Sequence, residues 1–264
     1  MQSIHTMPRS SRQQITYVLT DIDDTLTNAG ILPAIAYKAM ERLQKASIKV
    51  VPITGRPAGW CDHIARMWPV AGVVGENGAF YFYYDHRAKK MIRRFWRSAE
   101  QRAENRRLLA QLKDSILKQV PGCAVSADQL YREADLAIDF SEDVPPLPLQ
   151  EVKRIVEICE QAGAVAKISS IHVNTWFGEY DKLTMSKRFF AEVFALDLDD
   201  CKEMVVFSGD SLNDGPMFSY FPHSVGVANV LQFINELPSQ PAWVTENEGG
   251  YGFAEMVDVL LSER

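Results

Sequence analysis

Short apolar runs alternating with amphipathic stretches set the pattern at the start of this chain. The β-branched run Ile15 to Leu19 ends in acidic residues; a helix-like stretch, Pro33 to Ala46, separates it from a second apolar run, Ile48 to Ile53. Ala58 to Met67 again shows helical spacing and is followed by Val73-Val74. This alternation predicts βαβ units and a parallel sheet, with strands over 15–21, 48–53 and 73–74 and helices over 33–46 and 58–67. After the turn Glu76-Asn77-Gly78, the run Ala79 to Tyr84 is expected to lead a strand outward.

From about 85 to 178 the rhythm changes. An amphipathic helix carrying Leu108, Leu109, Leu112, Ile116 and Leu117 precedes short strands near 123–127 and 135–140. Pro145, Pro146 and Pro148 punctuate the start of a second helix, with Val152, Ile155, Val156 and Cys159 on one face, before strands near 164–169 and 171–177. This is an α-β-β unit made twice. The βα rhythm then returns, with helices over 183–195 and 212–218, strands over 203–208 and 224–228, and helices near 230–236 and 253–262. The expected fold class is therefore α/β: a parallel-sheet core built from 1–84 and 179–264, discontinuous in sequence, with an inserted α+β cap at 85–178.

Chemistry sits at the strand ends. In Asp21-Ile22-Asp23-Asp24-Thr25, alternate residues of an extended chain point the same way, so Asp21 and Asp23 converge just past the carboxyl end of the first core strand. Alone, such a cluster reads equally as turn and capping chemistry. A second acidic cluster, Gly209-Asp210-Ser211-Leu212-Asn213-Asp214, closes the apolar run Met204 to Phe207, and two such ends point to one site for a hard cation. Between them, Thr54, Gly55 and Arg56 close the run after Ile53 with groups suited to a phosphate, and Lys182 opens an amphipathic helix with a compact positive charge. Arg56 reads equally as a substrate contact or a helix cap.

In order and spacing these four segments resemble the haloacid dehalogenase superfamily, whose motifs run DxDx(T/V), a strand-end Thr or Ser, a Lys, and GDxxND. The long insertion resembles the subclass with a large α/β cap, which includes sucrose-phosphate, mannosyl-phosphoglycerate and other sugar-phosphate phosphatases. The resemblance implies a Rossmann-like core and a phosphatase mechanism in which Asp21 is the nucleophile, Asp23 the acid and base, and Thr54 and Lys182 hold the phosphoryl group. It implies Mg²⁺ held by the Asp21 side chain, the Asp23 carbonyl and Asp210, with Asn213 or Asp214 in support. Asp24 departs from the glycine frequent in related phosphatases, and Thr25 is expected to brace the loop. In the cap, alternation places His172, Asn174 and Trp176 on one face, with Lys167, Ser169 and Asp139, as a polar floor opposed to Ile171, Val173 and Phe177. Such a floor suits a sugar or polyol phosphate, bound through Thr54, Gly55, Arg56, Lys167, His172, Asn174 and Trp176.

At 264 residues and 47% hydrophobic, the chain is long enough for such a core and cap. A net charge of −6 argues against a general nucleic-acid binder. The basic stretch His86 to Arg97 reads first as a solvated hairpin or domain junction, and second as a field that steers an anionic substrate. Four scattered cysteines without CxxC spacing read as reduced thiols. No 18-residue apolar run and no secretory pattern is found, so no membrane partner and a cytoplasmic location are expected, with a frayed N-terminus. The expected substrate is a small phosphorylated metabolite, with phosphomutase chemistry or silent binding of a phosphorylated ligand as the rivals.

Overall fold

The computed structural model describes residues 1–169 and 171–262. The chain begins with strand β1 (Gln2–Ser3) and helix α1 (Arg9–Gln14), then runs β2 (Tyr17–Thr20), α2 (Ala34–Lys45), β3 (Lys49–Pro52), α3 (Ala58–Met67), β4 (Val73–Gly75), β5 (Phe80–Asp85) and β6 (Lys90–Phe95). A middle segment follows, with α4 (Ala99–Gln119), β7 (Ala124–Val125), β8 (Leu136–Asp139), α5 (Leu149–Gln161), β9 (Val165–Ile168) and β10 (His172–Trp176). The return comprises α6 (Lys182–Phe189), α7 (Leu198–Cys201), β11 (Val205–Gly209), α8 (Gly215–Tyr220), β12 (His223–Gly226), β13 (Trp243–Val244) and α9 (Gly249–Leu261).

The main sheet has the order β1-β13-β12-β11-β2-β3, and every pairing in it is parallel. The two-residue period of a strand sorts its side chains onto two helix layers. Val18, Val50, Val206 and Val225 enter one core with α2, α3 and α9, while Tyr17, Leu19, Val51 and Phe207 enter another with Phe189, Phe190, Met217 and Phe218. β2 lies between β3, reached forward through α2, and β11, reached only after the insertion. It therefore sits where the winding of the sheet reverses, the place at which open α/β sheets bind ligands.

An antiparallel layer, β4-β5-β6, joins this sheet through the bridge between Ile53 and Val74. The basic stretch is thus the second strand of a hairpin. The middle segment forms its own antiparallel sheet, β7-β8-β10-β9, with the α-β-β unit repeated. Leu109, Leu112 and Ile116 of α4 and Val152, Ile155 and Cys159 of α5 close a separate core over Leu136, Ile138 and Val173. A capping box between Ser98 and Gln101 starts α4 and is worth about 1 kcal/mol.

The N-terminus is ordered by packing rather than frayed. Ile4 and Met7 are buried in the core and β1 adds to β13, contacts too short in sequence to show a period. The predicted helix at 183–195 is α6 followed by a wider turn over Phe190–Phe194, and that at 230–236 is a 3₁₀ turn over Ala228–Phe233. No described helix is long and apolar enough to cross a membrane.

Candidate functional site

Asp21 extends the ladder one residue beyond β2, its N–H donating to Ser208 O at 2.9 Å. Beneath it, Thr20 Oγ1 donates to Asp21 O and accepts from Ser208 Oγ, fixing the strand end from below. The chain then turns tightly, with N–H groups of Thr25, Leu26 and Thr27 on Ile22 O and Asp24 at φ 54°. Thr25 Oγ1 donates to Asp210 Oδ1 at 2.9 Å, so it braces one acidic cluster against the other, as expected. Asp214 Oδ2 accepts from Asp210 N, and a Cβ on Gly209 would stand 2.5 Å from that oxygen. Glycine at 209 is what permits the approach.

Lys182 is the first residue of α6, behind Asp181, whose carboxylate caps Thr184 N–H. Its buried Nζ lies 2.7 Å from Asp21 Oδ1 and 2.9 Å from Asp214 Oδ1. Burial works against this ammonium, but the two carboxylates outweigh it and hold it protonated. Burial also pushes Asp21 up to about 7 despite Lys182, and pushes Asp210 well above the usual carboxylate range, with Asp214 adding to it. Asp21, Asp210 and Asp214 each offer an oxygen, all within 4.8 Å of one another. An all-oxygen, buried, mutually repelling set of this kind fits a hard divalent cation.

Asp23 faces away from this cluster. Arg56 donates from Nε to both Asp23 oxygens at 2.9 and 3.1 Å, and its guanidinium lies 4.6 Å from the Trp60 ring centroid. Thr54 is fully buried, with its Oγ1 accepting from Arg56 N, so the loop after β3 folds back on its own hydroxyl. Arg56 holds Asp23 and reaches Glu142 across the seam at 3.4 Å, while lining the same cleft as Asp21.

The structure gathers Asp21, Asp23, Gly55, Arg56, His172, Asn174, Asp210 and Asn213 around one narrow cleft of about 30 Å³. Register explains the far wall, because His172 pairs with Asp139 and Asn174 with Lys167, placing all four on one face of the inserted sheet. Lys167 and Trp176 lie elsewhere, beside a second small cavity next to Lys182 and Asn77. Trp176 is buried and stacked on Tyr180 with centroids 5.6 Å apart, packing the seam instead of offering a platform. Ile171, expected against the cap helices, borders the cleft.

Charged residues not singled out in the sequence tie the insertion to the core. Glu142 Oε2 lies 2.9 Å from His172 Nε2, on a loop held by three N–H donors to Asp139. Burial, then Arg132, lowers the pKa of His172, with Glu142 and Asp128 opposing. Arg132 is buried between Asp128 and Asp135 and donates to Gly55 O at 2.9 Å. Glu76, fully buried, accepts from Ala58 N, Glu133 N, Ala134 N and Asp135 N at 2.6 to 3.1 Å. The strand-end rule that singles out Asp21 applies equally to Glu76, which closes the apolar run of β4.

The family described as haloacid dehalogenase-like hydrolase matches residues 18–143. No curated protein matches the chain. Among solved structures, one from Thermoplasma acidophilum is 18% identical, with 93% of this chain and 98% of that chain covered at a TM-score of 0.71. A phosphatase of the haloalkanoate enzyme superfamily from Bacteroides thetaiotaomicron is 20% identical, with 96% and 97% covered and a TM-score of 0.61. A sucrose-phosphatase from Synechocystis, solved with sucrose and phosphate, is 11% identical, with 94% and 98% covered and a TM-score of 0.64. At these identities the likeness is one of fold, and it extends over core and insertion together. The segment that matches the haloacid dehalogenase-like hydrolase family supplies the paired strand-end aspartates and the threonine loop, and the rest of the fold, similar to that of the solved structures, brings Lys182 and Asp210 to them.

Proposed function

We propose that the chain is a Mg²⁺-dependent phosphomonoesterase that hydrolyses a small phosphorylated metabolite, a sugar phosphate, through a phosphorylated Asp21. The observation that carries this reading is the division of labour between the two aspartates on one cleft. Asp21 sits among Lys182, Asp210 and Asp214, and Asp23 sits apart on Arg56. In the first half, an Asp21 oxygen attacks phosphorus while the Asp23 carboxyl gives its proton to the leaving oxygen. In the second, the Asp23 carboxylate takes a proton from the water that cleaves the acyl phosphate. Lys182 neutralises charge on Asp21 and the phosphoryl oxygens, and N–H groups after Asp21 and Thr54 orient them. A bound Mg²⁺, held by the Asp21 side chain, the Asp23 carbonyl and Asp210 with Asn213 or Asp214 in support, would offset repulsion between nucleophile and phosphate, a reading supported by the gathering of Asp21, Asp210 and Asp214.

His172, Asn174 and Ser169 give the cleft a polar wall opposite the aspartates, which supports a hydroxyl-rich substrate. The insertion, taken from 85 to 178 with its own core beginning at α4, serves as the cap that shields the reaction from water. Four free thiols, three of them buried, support a cytoplasmic location. The test is phosphate release from a panel of sugar phosphates, phosphoglycolate and nucleotides, with Mg²⁺ or chelator. Release by the wild type, lost to background in Asp21→Asn and in chelator, is expected. Turnover that needs a bisphosphorylated activator would move the assignment to a mutase.

A further inference from the structure

Asp23 borders two spaces. One is the cleft it shares with Asp21; the other is a groove of about 350 Å³ between the turn after Asp23 and α3, walled by Ile22, Leu32, Trp60, His63, Ile64 and Trp68. An acid that protonates a leaving oxygen must lie within hydrogen-bond reach of it, so whatever that oxygen belongs to begins at Asp23. The cap side of this point is crowded: Glu142 reaches Arg56, Arg132 binds Gly55 O, and a Cβ on Gly55 would stand 2.8 Å from Asn174 Nδ2. The open volume lies on the other side.

The groove is also built for a ligand. Trp60 is 44% exposed, yet its ring is held by the Arg56 guanidinium that binds Asp23, so ring, cation and acid form one unit. Trp68 is fixed edge-on by Tyr37, with centroids 6.4 Å apart. Ile31, between two residues of the groove lining, is 72% exposed. Apolar surface left open beside a charged site marks a binding surface.

We propose that this groove is the leaving-group subsite and takes a flat, carbon-rich face of the substrate alcohol, stacked on Trp60. The shared chemistry is a planar array of C–H or ring carbon, presented by one side of a pyranose or by an aromatic ring. The proposal rests on the phosphatase reading and adds to it the shape of the substrate.

The test is titration calorimetry with Mg²⁺ on Asp21→Asn protein, which binds without turnover, using glucose 6-phosphate, 2-naphthyl phosphate and glycerol 3-phosphate. Adding Trp60→Ala is expected to weaken a flat ester about tenfold, the scale of one aromatic stack, and to leave glycerol 3-phosphate unchanged. Trp60→Phe, which keeps a ring, is expected to retain affinity. Loss for the glucose ester identifies the pyranose source, and loss for the naphthyl ester the aromatic one. Equal weakening of all three esters, no weakening, or no binding of either flat ester overturns the subsite. Wild-type turnover of the same esters reads the reaction separately: Trp60-dependent binding without phosphate release would remove the phosphatase and keep the groove.

Discussion

Removing the ammonium of Lys182 tests the electrostatic core of the site. Its Nζ bonds two buried carboxylates at 2.7 and 2.9 Å, and Asp210 lies in the same cluster. Lys182→Met keeps the length of the stem and leaves the acids without their cation, and breaking a buried pair in this way costs about 3–5 kcal/mol. For a chain of this size that corresponds to a fall in Tm of about 6–20 °C, read by differential scanning fluorimetry in chelator. The pH dependence has a definite sign. Burial raises Asp21 from 3.8 to about 7 in the fold, so the stability it contributes is present below its unfolded value and is lost as pH rises through about 7. Without Lys182 the folded value rises further, and the variant should lose more at pH 8 than at pH 5. A divalent cation, replacing part of the missing charge, should raise the Tm of the variant more than that of the wild type. A Tm within about 1 °C of wild type at both pH values would refute the account, because surface pairs behave in that way and buried ones do not.

Two further perturbations address the seam. Burial, then Asp135, pushes Glu76 up from 4.5 to about 8, so wild-type stability should decline as pH rises from about 5 through 8, and Glu76→Gln should flatten that decline in Tm against pH. The same variant cannot accept four N–H donors, and amide exchange at Glu133 to Asp135 should quicken by about tenfold or more, as read by mass spectrometry. Gly78 stands at φ 106° and a Cβ there would lie 2.1 Å from Asp181 O; Gly78→Ala should cost about 2 kcal/mol or more in urea unfolding and displace the cap of the Lys182 helix.

The strand-end residues were legible because their signal is local. An apolar run ending in Asp-Ile-Asp or in Gly-Asp-Ser places carboxylates at the carboxyl end of a strand whatever the rest of the chain does; Asp21 and Asp210 meet there, while Asp23 borders the same cleft but turns to Arg56. The two-residue period also placed His172 and Asn174 on the cleft. It misled at Trp176 because a shared face does not make a shared environment: the far end of β10 runs under Tyr180, where the seam is already filled. Arg132 and Glu142 were illegible for a different reason, and Glu76, although at a strand end, read only as part of a turn. A charged side chain reads as solvated until a partner distant in sequence desolvates it, and the partners here lie 57 residues from Glu76, at Glu133, and 86 from Glu142, at Arg56.

Glu76 and Glu142 both join the insertion to the core, and burial sets their unequal strength. Glu76, with no exposed surface, fastens the entry to β8 through backbone donors on both sides of the seam. Its turn pays for this with two consecutive non-glycine residues in the left-handed region, Glu76 at φ 43° and Asn77 at φ 55°, and Asn77 N–H binds Thr54 O. The strain thus lies where the loop after β3, α3 and the insertion meet. Glu142 is about one-third exposed, and its contact to Arg56 is long at 3.4 Å, so water competes there as it does not at Glu76. Arg56 is shared between Glu142 and Asp23: an anion that displaces Glu142 of the insertion from it would act on the same guanidinium that holds Asp23.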